Sequence, residues 1–459
     1  MAAKYTMDMT RGSLFIQIAR YMVPLALTYL LQLIFHATDL WVIGRFSDHN
    51  SLAGIGTTST SIGLMINTLT GLSVGANAVV ARYFGARDGI NMIRAVHTSI
   101  ATALISGGFI VVAGMLASAP LMRAVEVPPE IMPLALTYLR ISILGMPALL
   151  LYNFGCAILR AVGDTRRPLV YLVIAGLVNV GLNLFMVIVC KMNVAGVAVA
   201  TIVSQFISAF LVIRALRRNH GASRLHLSHI RIDWGSLRQI LLVGIPAAVQ
   251  SACFALSNFI IQGAINSFGG YAMAAMTIAG NIEFSMYAWC FSLHQTAISF
   301  IGQNSGAKKV DRMVKSSWIC LFYSVSILTV LGWVYYFNGE ALVGFFISGS
   351  EPEIIRYAMM RMQILFITYG LLGIMDVASG VLRGMGRSVF PAVVTVLGAC
   401  VFRIWWVKTV FAANHTMPCL LWSYPVSWIL ISVVLAGYIF IVFRKMNESK
   451  KYISFQPHR

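Results

Sequence analysis

The chain has 459 residues, of which 58% are hydrophobic and only 11% are charged, whereas about 25% of the residues of a soluble domain are charged. This composition excludes an ordinary soluble protein, and apolar stretches long enough to cross a membrane recur along the chain. The net charge of +19 would suggest nucleic acid in a soluble protein, but the basic residues lie in alternate loops, as in the cytoplasmic loops of membrane proteins. Nucleic acid is therefore not expected as a partner.

Twelve apolar segments predict membrane-spanning helices, six on each side of the polar stretch RRNHGASRLHLSHIRID. They cover roughly residues 14–44, 52–80, 92–119, 131–156, 167–190, 194–216, 239–265, 271–300, 315–348, 354–380, 389–412 and 419–444. We divide the chain into an N-terminal lobe, residues 1–220, a basic cytoplasmic linker, residues 221–238, and a C-terminal lobe, residues 239–459. The expected fold class is an all-α integral membrane protein of two six-helix bundles, with both termini in the cytoplasm.

The first apolar segment ends in HATDLWVIGRF and contains a carboxylate, Asp39. An ionised carboxylate in hydrocarbon is costly unless it pairs, faces water or takes up a proton. Gln32 and His36 precede Asp39 on the same helix face, so they are candidates for contacting a substrate. Two interpretations stay open: Asp39 binds a cation, or it marks the outer end of the helix near Arg45.

The fifth and sixth segments also carry polar residues at membrane depth. Asn179 and Asn183 in GLVNVGLNLF lie one helical turn apart on the same face, and Thr201 follows in NVAGVAVATIVSQ. Amide and hydroxyl oxygens can bind a cation, but such groups also form ordinary hydrogen bonds between membrane helices. The sequence leaves both roles open for these residues.

The second half contains two further intramembrane carboxylates, Glu283 and Asp376. Glu283 fits either a role in coupling or substrate attraction, or a buried structural pair. For Asp376 a structural role is favoured, because Arg383 lies two helical turns away. Arg361 and Arg403 are expected near helix ends, where long basic side chains reach headgroups or pair structurally.

The two halves of the chain resemble each other. Four residues of the first half recur in the second half at an offset of 223: Leu159, Arg160, Gly163 and Pro168 match Leu382, Arg383, Gly386 and Pro391. Two further matches lie at nearly the same offset, Gly85 with Gly306 at 221 and Pro24 with Pro246 at 222. Each half has an even number of spans, so the repeat is expected to be parallel. Transporters built from such repeats bind their substrate in a central cavity between the lobes.

Signatures of enzymes and of cofactor sites do not stand out in the sequence. The seven cysteines have no metal-ligand spacing, and neither an HExxH motif nor a nucleophile with its base is visible. The stretch GQNSGAKK lacks the glycine spacing and the Ser or Thr of a phosphate-binding loop. We therefore expect a protein that is not an enzyme, holds no cofactor and takes its energy from an ion gradient.

The order of several motifs resembles the multidrug and toxic compound extrusion (MATE) family over essentially the whole chain. The motifs are TDLWVIGRF, LAGIGTTSTSIGLM, GLSVGANAVVARYFGARD, ILRAVGDTRRP, GIPAAVQ, FIGQNSGAKKVDR, VLRGMG and WSYPVSW. The resemblance implies an antiporter in the inner membrane of a prokaryote that exports organic, often cationic and amphipathic, compounds in exchange for H+ or Na+. It implies small organic molecules and membrane lipids as partners and a monomer as the working unit.

The same resemblance implies roles for particular residues. Asp39 matches the first-helix aspartate of the family, which couples transport by protonation or by binding Na+. Asn179 matches the family pattern in the fifth helix, Asn183 replaces an aspartate that is frequent there, and Thr201 matches a polar position of the sixth helix. Leu372 and Phe254 stand where the NorM-like branch is acidic, so the chain is expected to be closer to the DinF-like branch.

Other functions remain possible at this stage. A flippase of lipid-linked oligosaccharide shares a related architecture, but it would need a cationic cavity for pyrophosphate, whereas Asp39 dominates the intramembrane charges of the first half. An exporter of one specific metabolite is a second alternative. A membrane enzyme or receptor would be expected to show a His/Asp cluster at one membrane face or a soluble domain.

Overall fold

The structure of the protein is a computed structural model that describes residues 6–46, 49–124, 127–347 and 351–454. Each of the twelve predicted segments contains a helix, and we number the segments as spans in chain order. The first six spans are Leu14–Phe46, His49–Ala86, Gly89–Ala124, Met132–Ala161, Arg166–Leu184 with the π-helical segment Phe185–Val189, and Asn193–Arg217. In the linker, two short 3-10 helices follow, Gly221–Ser223 and Leu227–His229.

The last six spans are less regular. Spans 7, 8 and 9 are Trp234–Asn266, Gly270–Gly306 and Val310–Phe337, and a short helix, Gly339–Gly344, follows span 9. Span 10 comprises Pro352–Arg361, the π-helical segment Met362–Phe366 and Tyr369–Gly384. Span 11 comprises Val389–Thr395, Phe402–Trp406 and the π-helical segments Val396–Val401 and Val407–Phe411, and span 12 is Met417–Ser454. The predicted ninth segment, 315–348, thus ends earlier than expected, at Phe337.

Length and composition agree with membrane spans for most of these helices. Among the described residues, nine helices are long and apolar enough to cross a membrane, and the two parts of span 10 qualify together although they are bent by 45°. The remaining two, spans 2 and 8, are rich in glycine, serine and threonine. Their polar content explains why hydropathy alone does not select them.

Aspartates just before three spans, two in short loops and one in the linker, help to start these spans. Asp88, Asp164 and Asp233 each accept a hydrogen bond from the backbone N–H three residues later, as helix-capping side chains do. Hydrogen bonds from Asn91 also hold the pKa of Asp88 below its usual value. Burial raises the pKa of Asp164, although its ion pair with Arg167 opposes this shift. These segments therefore define where spans 3, 5 and 7 begin.

The internal repeat is visible in the ends of spans 4 and 10. Gly163 and Gly386 have φ of +92° and +82°, a conformation that glycine adopts without strain. In both places two backbone N–H groups bond back to the last helical turn, from Gly163 to Arg160 and from Gly386 to Arg383 among them, as in a Schellman cap. The repeat predicted from the sequence at an offset of 223 therefore includes the backbone conformation of this turn.

The chain forms two compact units. The first unit contains residues 27–248 and residues 6–8, and the second contains residues 9–26 and the described residues from 249 onward. Both boundaries lie two residues after a matched proline, Pro24 in span 1 and Pro246 in span 7. Spans 1 and 7 therefore each contribute to both units.

In the second unit, the beginning of span 1 packs against span 8. The Tyr21 hydroxyl bonds the Ser299 hydroxyl at 2.7 Å, and Ser292 Oγ donates to the Met22 carbonyl at 2.7 Å. Before the helix, the Met9 N–H donates to Gln303 Oε1 at 2.9 Å. All of these groups are buried, so they fix residues 9–26 to span 8.

In the first unit, spans 2 and 7 approach each other through glycine. A Cβ atom at Gly75 would lie 2.1 Å from the Ile240 carbonyl oxygen, which is far inside van der Waals contact. We expect Gly75→Ala to destabilise the protein by about 1–3 kcal/mol, as other overpacking substitutions do. Thermal unfolding in detergent measures the effect. Gly56→Ala in the same span is the control, because nothing lies within 4 Å of its Cβ position; equal melting temperatures for the two variants would contradict this packing.

Candidate functional site

Asp39 lies in span 1 within the first unit and accepts hydrogen bonds from two other spans. Its Oδ1 accepts from Asn183 Nδ2 in span 5 at 2.5 Å, and its Oδ2 accepts from Thr201 Oγ1 in span 6 at 3.4 Å. These partners are 144 and 162 positions away in the chain. Three spans therefore meet at this carboxylate.

The two asparagines complete a small network. Asn183 Nδ2 also lies 3.3 Å from Asn179 Oδ1, and Asn179 Nδ2 donates to Thr201 Oγ1 at 3.4 Å. Asn183 is fully buried and Asn179 is 4% exposed. The Asn183 Oδ1 atom is buried, and no described residue forms a hydrogen bond with it. We call Asp39, Asn179, Asn183 and Thr201 the Asp39 site.

A basic counter-ion is missing from the Asp39 site. Within the described ranges, Asp39 forms no ion pair with Arg45 or any other basic side chain, and its partners are neutral amide and hydroxyl groups. Removing a carboxylate from water costs several kcal/mol unless an opposite charge or a proton compensates it. The arrangement thus leaves the charge of Asp39 available for a cation or a proton.

Close helix packing positions the site. A Cβ atom at Gly176 in span 5 would lie 1.9 Å from Phe35 Cζ in span 1, one turn before Asn179 and Asp39 on their helices. Glycine at this position allows the two spans to approach closely. The π-helical segment Phe185–Val189 begins two residues after Asn183, and such segments are frequent at functional sites.

The chemistry of the donors suits a hard monovalent cation or a proton. Carboxylate, amide and hydroxyl oxygens are the ligands that hard cations prefer, and Asn183 Oδ1 is free to serve as one. Only Asp39 in this group can also carry a proton. In the part of the chain that the structure describes, no three His, Cys, Asp or Glu side chains come together as a metal site.

The other two residues predicted on the same face of span 1 lie outside this network. Gln32 and His36 are exposed, and neither hydrogen-bonds to the Asp39 site. They lie one to two turns away from Asp39 on the same helix, where a substrate could reach them. Their predicted role as substrate contacts therefore stays a prediction.

Asn183 is expected to dominate the properties of the Asp39 site. Asn183→Leu removes the shorter hydrogen bond to Asp39 and the only unbonded ligand oxygen, and hydrogen bonds to charged groups contribute about 1.5–3 kcal/mol. We expect the ion concentration that half-activates transport to change by about tenfold or more. Thr201→Val is the matched control, because its contact with Asp39 is longer at 3.4 Å, and its effect should be smaller. If Thr201→Val changed the half-activating ion concentration more than Asn183→Leu, Asn183 would not be the more important partner of Asp39.

Glu283 and Arg361 form an ion pair inside the second unit. Arg361 Nη2 and Nε lie 2.7 Å and 3.1 Å from Glu283 Oε2, and Nη1 donates to the Met276 carbonyl at 3.3 Å. The side chains of Arg361 and Glu283 are only 15% and 17% exposed. Glu283 is thus a mostly buried, paired carboxylate, which was one of its two predicted states.

Asp376 belongs to a separate buried cluster. Cys290 Sγ donates to Asp376 Oδ2 at 3.2 Å, and His294 Nδ1 donates to the Asp376 backbone carbonyl at 2.8 Å. Arg383 Nη1 donates to His294 Nε2 at 3.1 Å and its Nη2 donates to Gln250 Oε1 at 2.6 Å. Since arginine only donates, His294 accepts at Nε2 and is neutral. Among the described residues Arg383 donates to Gln250 and His294 and forms no ion pair with Asp376, and the structural role favoured for Asp376 stays a prediction.

Sequence reasoning missed one arginine of the second unit. Arg403 was expected near a helix end, where it would reach headgroups or pair structurally, but it is 2% exposed and lies between the two π-helical segments of span 11. Its position inside an apolar run, VFRIWWV, was the available signal.

A cavity of about 560 Å³ in the second unit lies elsewhere, and Tyr336, Glu340, Arg356 and Gln363 are among its lining residues. None of the predicted site residues lines it.

The apolar spans define a polytopic membrane protein, and comparisons with known proteins identify the family. The sequence model of the MatE family matches residues 24–185 and 246–406, two stretches that begin 222 positions apart. These matches cover more than half of the chain, so the chain belongs to the MatE family. The predicted MATE membership and the parallel repeat in its sequence are confirmed.

Individual relatives and structures agree with this assignment. The probable multidrug resistance protein YoeA of Bacillus subtilis strain 168 is 23% identical over 459 residues and aligns with 97% of each chain. A protein of Shewanella oneidensis named FAD transporter is 22% identical over 368 residues, which are 78% of this chain and 80% of the relative. The crystal structure of a MATE P26A mutant has a TM-score of 0.89 at 19% identity, covering 96% of this chain and 98% of that one. The fold is therefore that of twelve-helix, two-lobed MATE transporters, and the protein is a transporter and not an enzyme.

Proposed function

We propose that the protein exports organic compounds, often cationic and amphipathic, across the cytoplasmic membrane in exchange for H+ or Na+. The single observation that carries this proposal is the Asp39 site, a carboxylate that accepts hydrogen bonds from neutral donors of two other spans and has no basic partner among the described residues. Multidrug resistance and export proteins among the relatives support the cargo class.

Asp39 would be the coupling group. A cation or proton that binds there neutralises the carboxylate. The Asn183 Oδ1 atom and the Thr201 hydroxyl oxygen can then bind the cation or proton as well. Export requires that this bound state has a lower affinity for the organic compound, and the coupling must be reciprocal, so that the compound equally disfavours the ion. No cofactor takes part in this scheme.

The remaining features of the proposal follow from the sequence repeat and the charge distribution. Residues 1–220 and 239–459 would be the two moving lobes, joined by the linker 221–238. Both termini would lie in the cytoplasm of a prokaryote, and one chain would suffice for transport. Exposed apolar side chains along the spans, such as Phe109, Leu116 and Phe337 at 71%, 77% and 75% exposure, support direct contact with membrane lipids. Leu372 and Phe254, where the NorM-like branch is acidic, support a place in the DinF-like branch.

Gradient-driven efflux of ethidium from proteoliposomes tests the proposal. A proton gradient and a sodium gradient are imposed separately, each with the other ion balanced. The proposal expects one of them to drive ethidium against its own gradient. Failure of both gradients with several organic cations would reject drug export by ion exchange.

A specific metabolite is the second candidate cargo. The observation that favours it is the relative named FAD transporter, together with the buried arginines Arg361 and Arg403 of the second unit. Competition of FAD with ethidium for efflux would distinguish the two cargo classes.

A further inference from the structure

Arg403 is a buried guanidinium with few partners. Its Nε donates to Ser427 Oγ at 3.0 Å, and its central carbon lies 4.2 Å from the centroid of the Tyr424 ring. Its Nη2 is buried, and the part of the chain that the structure describes offers it no acceptor. A guanidinium has five N–H donors, so most of them are unused. No carboxylate of the described residues forms an ion pair with Arg403.

These contacts compensate the buried charge only in part. A charged side chain at membrane depth costs several kcal/mol, whereas a cation–π contact contributes about 0.5–2 kcal/mol and a neutral hydrogen-bond acceptor about 1 kcal/mol. An anion would supply both the missing charge and the missing acceptors. The planar fork of arginine matches two oxygens of a carboxylate or a phosphate.

The groups near Arg403 include one anion, Glu283, and one other cation, Arg361. Tyr424 lies close enough to interact electrostatically with Arg403, Arg361 and Glu283. Glu283 already receives two hydrogen bonds from Arg361, so this arginine cluster, Glu283, Arg361, Arg403 and Tyr424, has two cations and one anion. Arg361 and Glu283 are 15% and 17% exposed, so the cluster is not entirely enclosed by protein.

The backbone around the cluster is irregular in the same place. Arg403 lies in a five-residue α-helical segment between two π-helical segments, and a third π-helical segment begins directly after Arg361. Span 11 corresponds in the repeat to span 5, which carries Asn179 and Asn183 of the Asp39 site. Corresponding spans therefore carry polar groups for a cation in the first unit and a guanidinium in the second.

We propose that the arginine cluster binds an anionic group, a carboxylate or a phosphate, with Arg403 as the principal donor. Arg361 would contribute positive charge, and the Tyr424 ring would hold the Arg403 guanidinium in place. This inference rests on the proposed transport function in one respect: the anionic group belongs to a transported compound, which would then be anionic or zwitterionic. A lipid headgroup is the other source of the same chemistry.

Two xanthene dyes of opposite charge, anionic carboxyfluorescein and cationic rhodamine 123, test the proposal by fluorescence anisotropy with purified protein in a neutral detergent. We expect Arg403→Gln to weaken carboxyfluorescein binding at least tenfold and to leave rhodamine 123 binding within twofold. Arg403→Lys keeps the positive charge but not the planar fork of the guanidinium, so its loss of carboxyfluorescein binding should be intermediate. If Arg403→Gln does not fold, Arg403→Lys takes its place in the test. Arg140→Gln is the matched control, because Arg140 Nε also donates to a serine hydroxyl, Ser118 Oγ at 3.2 Å, and its carboxyfluorescein binding should equal that of the wild type.

Several outcomes would overturn the proposal. These are unchanged carboxyfluorescein binding in both Arg403 variants, an equal loss of both dyes, or no binding of carboxyfluorescein or inorganic phosphate to the wild type at millimolar concentration. Added phosphatidylglycerol distinguishes the sources: displacement of carboxyfluorescein assigns the cluster to headgroups, and persistence assigns it to transported compounds. Since binding needs no ion gradient, gradient-driven ethidium efflux without anion binding would reject the cluster and leave the proposed function intact.

Discussion

Asp39→Asn is expected to abolish the ion-driven part of export while leaving the protein folded. Asparagine has nearly the same shape and can still bond with Asn183 and Thr201, but it carries neither a charge nor an exchangeable proton. One charge moved through 100 mV supplies about 2.3 kcal/mol, which corresponds to roughly a fiftyfold concentration ratio. The variant should lose this accumulation ratio entirely and allow at most downhill movement of ethidium.

Two further variants control this result. Asp39→Glu keeps a carboxylate and should retain part of the coupling. Thr38→Val alters the neighbouring residue, whose hydroxyl bonds only the Ile34 carbonyl of its own helix, and should transport as the wild type does. Efflux by Asp39→Asn at the wild-type rate against a gradient would mean that Asp39 has a structural role.

Arg361→Gln is expected to destabilise the protein more than any other single change discussed for the second unit. It leaves the carboxylate of Glu283, which is only 17% exposed, without its counter-ion. Breaking a buried ion pair by removing one partner costs about 3–5 kcal/mol. Thermal unfolding in detergent should therefore show a large fall in Tm.

The paired charges themselves should be dispensable for folding. The double variant Glu283→Gln with Arg361→Gln removes both charges and should recover most of the lost stability, because no uncompensated charge remains. Arg356→Gln breaks a pair with Glu353 whose side chains are 56% and 51% exposed, and it should change Tm little. A double variant as unstable as Arg361→Gln would contradict an electrostatic origin of the effect.

The fold could be predicted from the sequence because most membrane helices are recognisable by their length and hydropathy. The repeat was also visible in the sequence, since Pro24 and Pro246 match each other and the turns at Gly163 and Gly386 require a positive φ, which favours glycine. Spans 10 and 11 were predicted as continuous helices, whereas the structure interrupts both with π-helical segments. Hydropathy does not report a change of hydrogen-bond register within a helix.

The Asp39 site was predictable in part. Asp39 and the pair Asn179 and Asn183 are polar residues in apolar runs, and their spacing indicated common helix faces. The hydrogen bond from Asn183 to Asp39 joins residues 144 positions apart. Only the family resemblance therefore indicated that these residues lie together.

The arginines of the second unit were harder to predict, because the same residue type fits three states. Arg361 pairs with a carboxylate, Arg383 bonds Gln250 and His294, and Arg403 stacks on Tyr424. Local sequence does not distinguish these states, since each depends on side chains from another span. Of the two states expected for Arg403, reaching headgroups or pairing structurally, the first does not fit a side chain that is 2% exposed and contacts Ser427 and Tyr424 of span 12.

Ion movement driven by the organic compound tests the central claim most directly. Proteoliposomes are loaded with ethidium and diluted without any imposed ion gradient, while internal pH and Na+ are followed with indicator dyes. The account predicts that downhill exit of ethidium drives H+ or Na+ inward in the wild type and that Asp39→Asn shows no such inward movement. Exit of ethidium without ion entry in the wild type, or with equal ion entry in Asp39→Asn, would contradict the account.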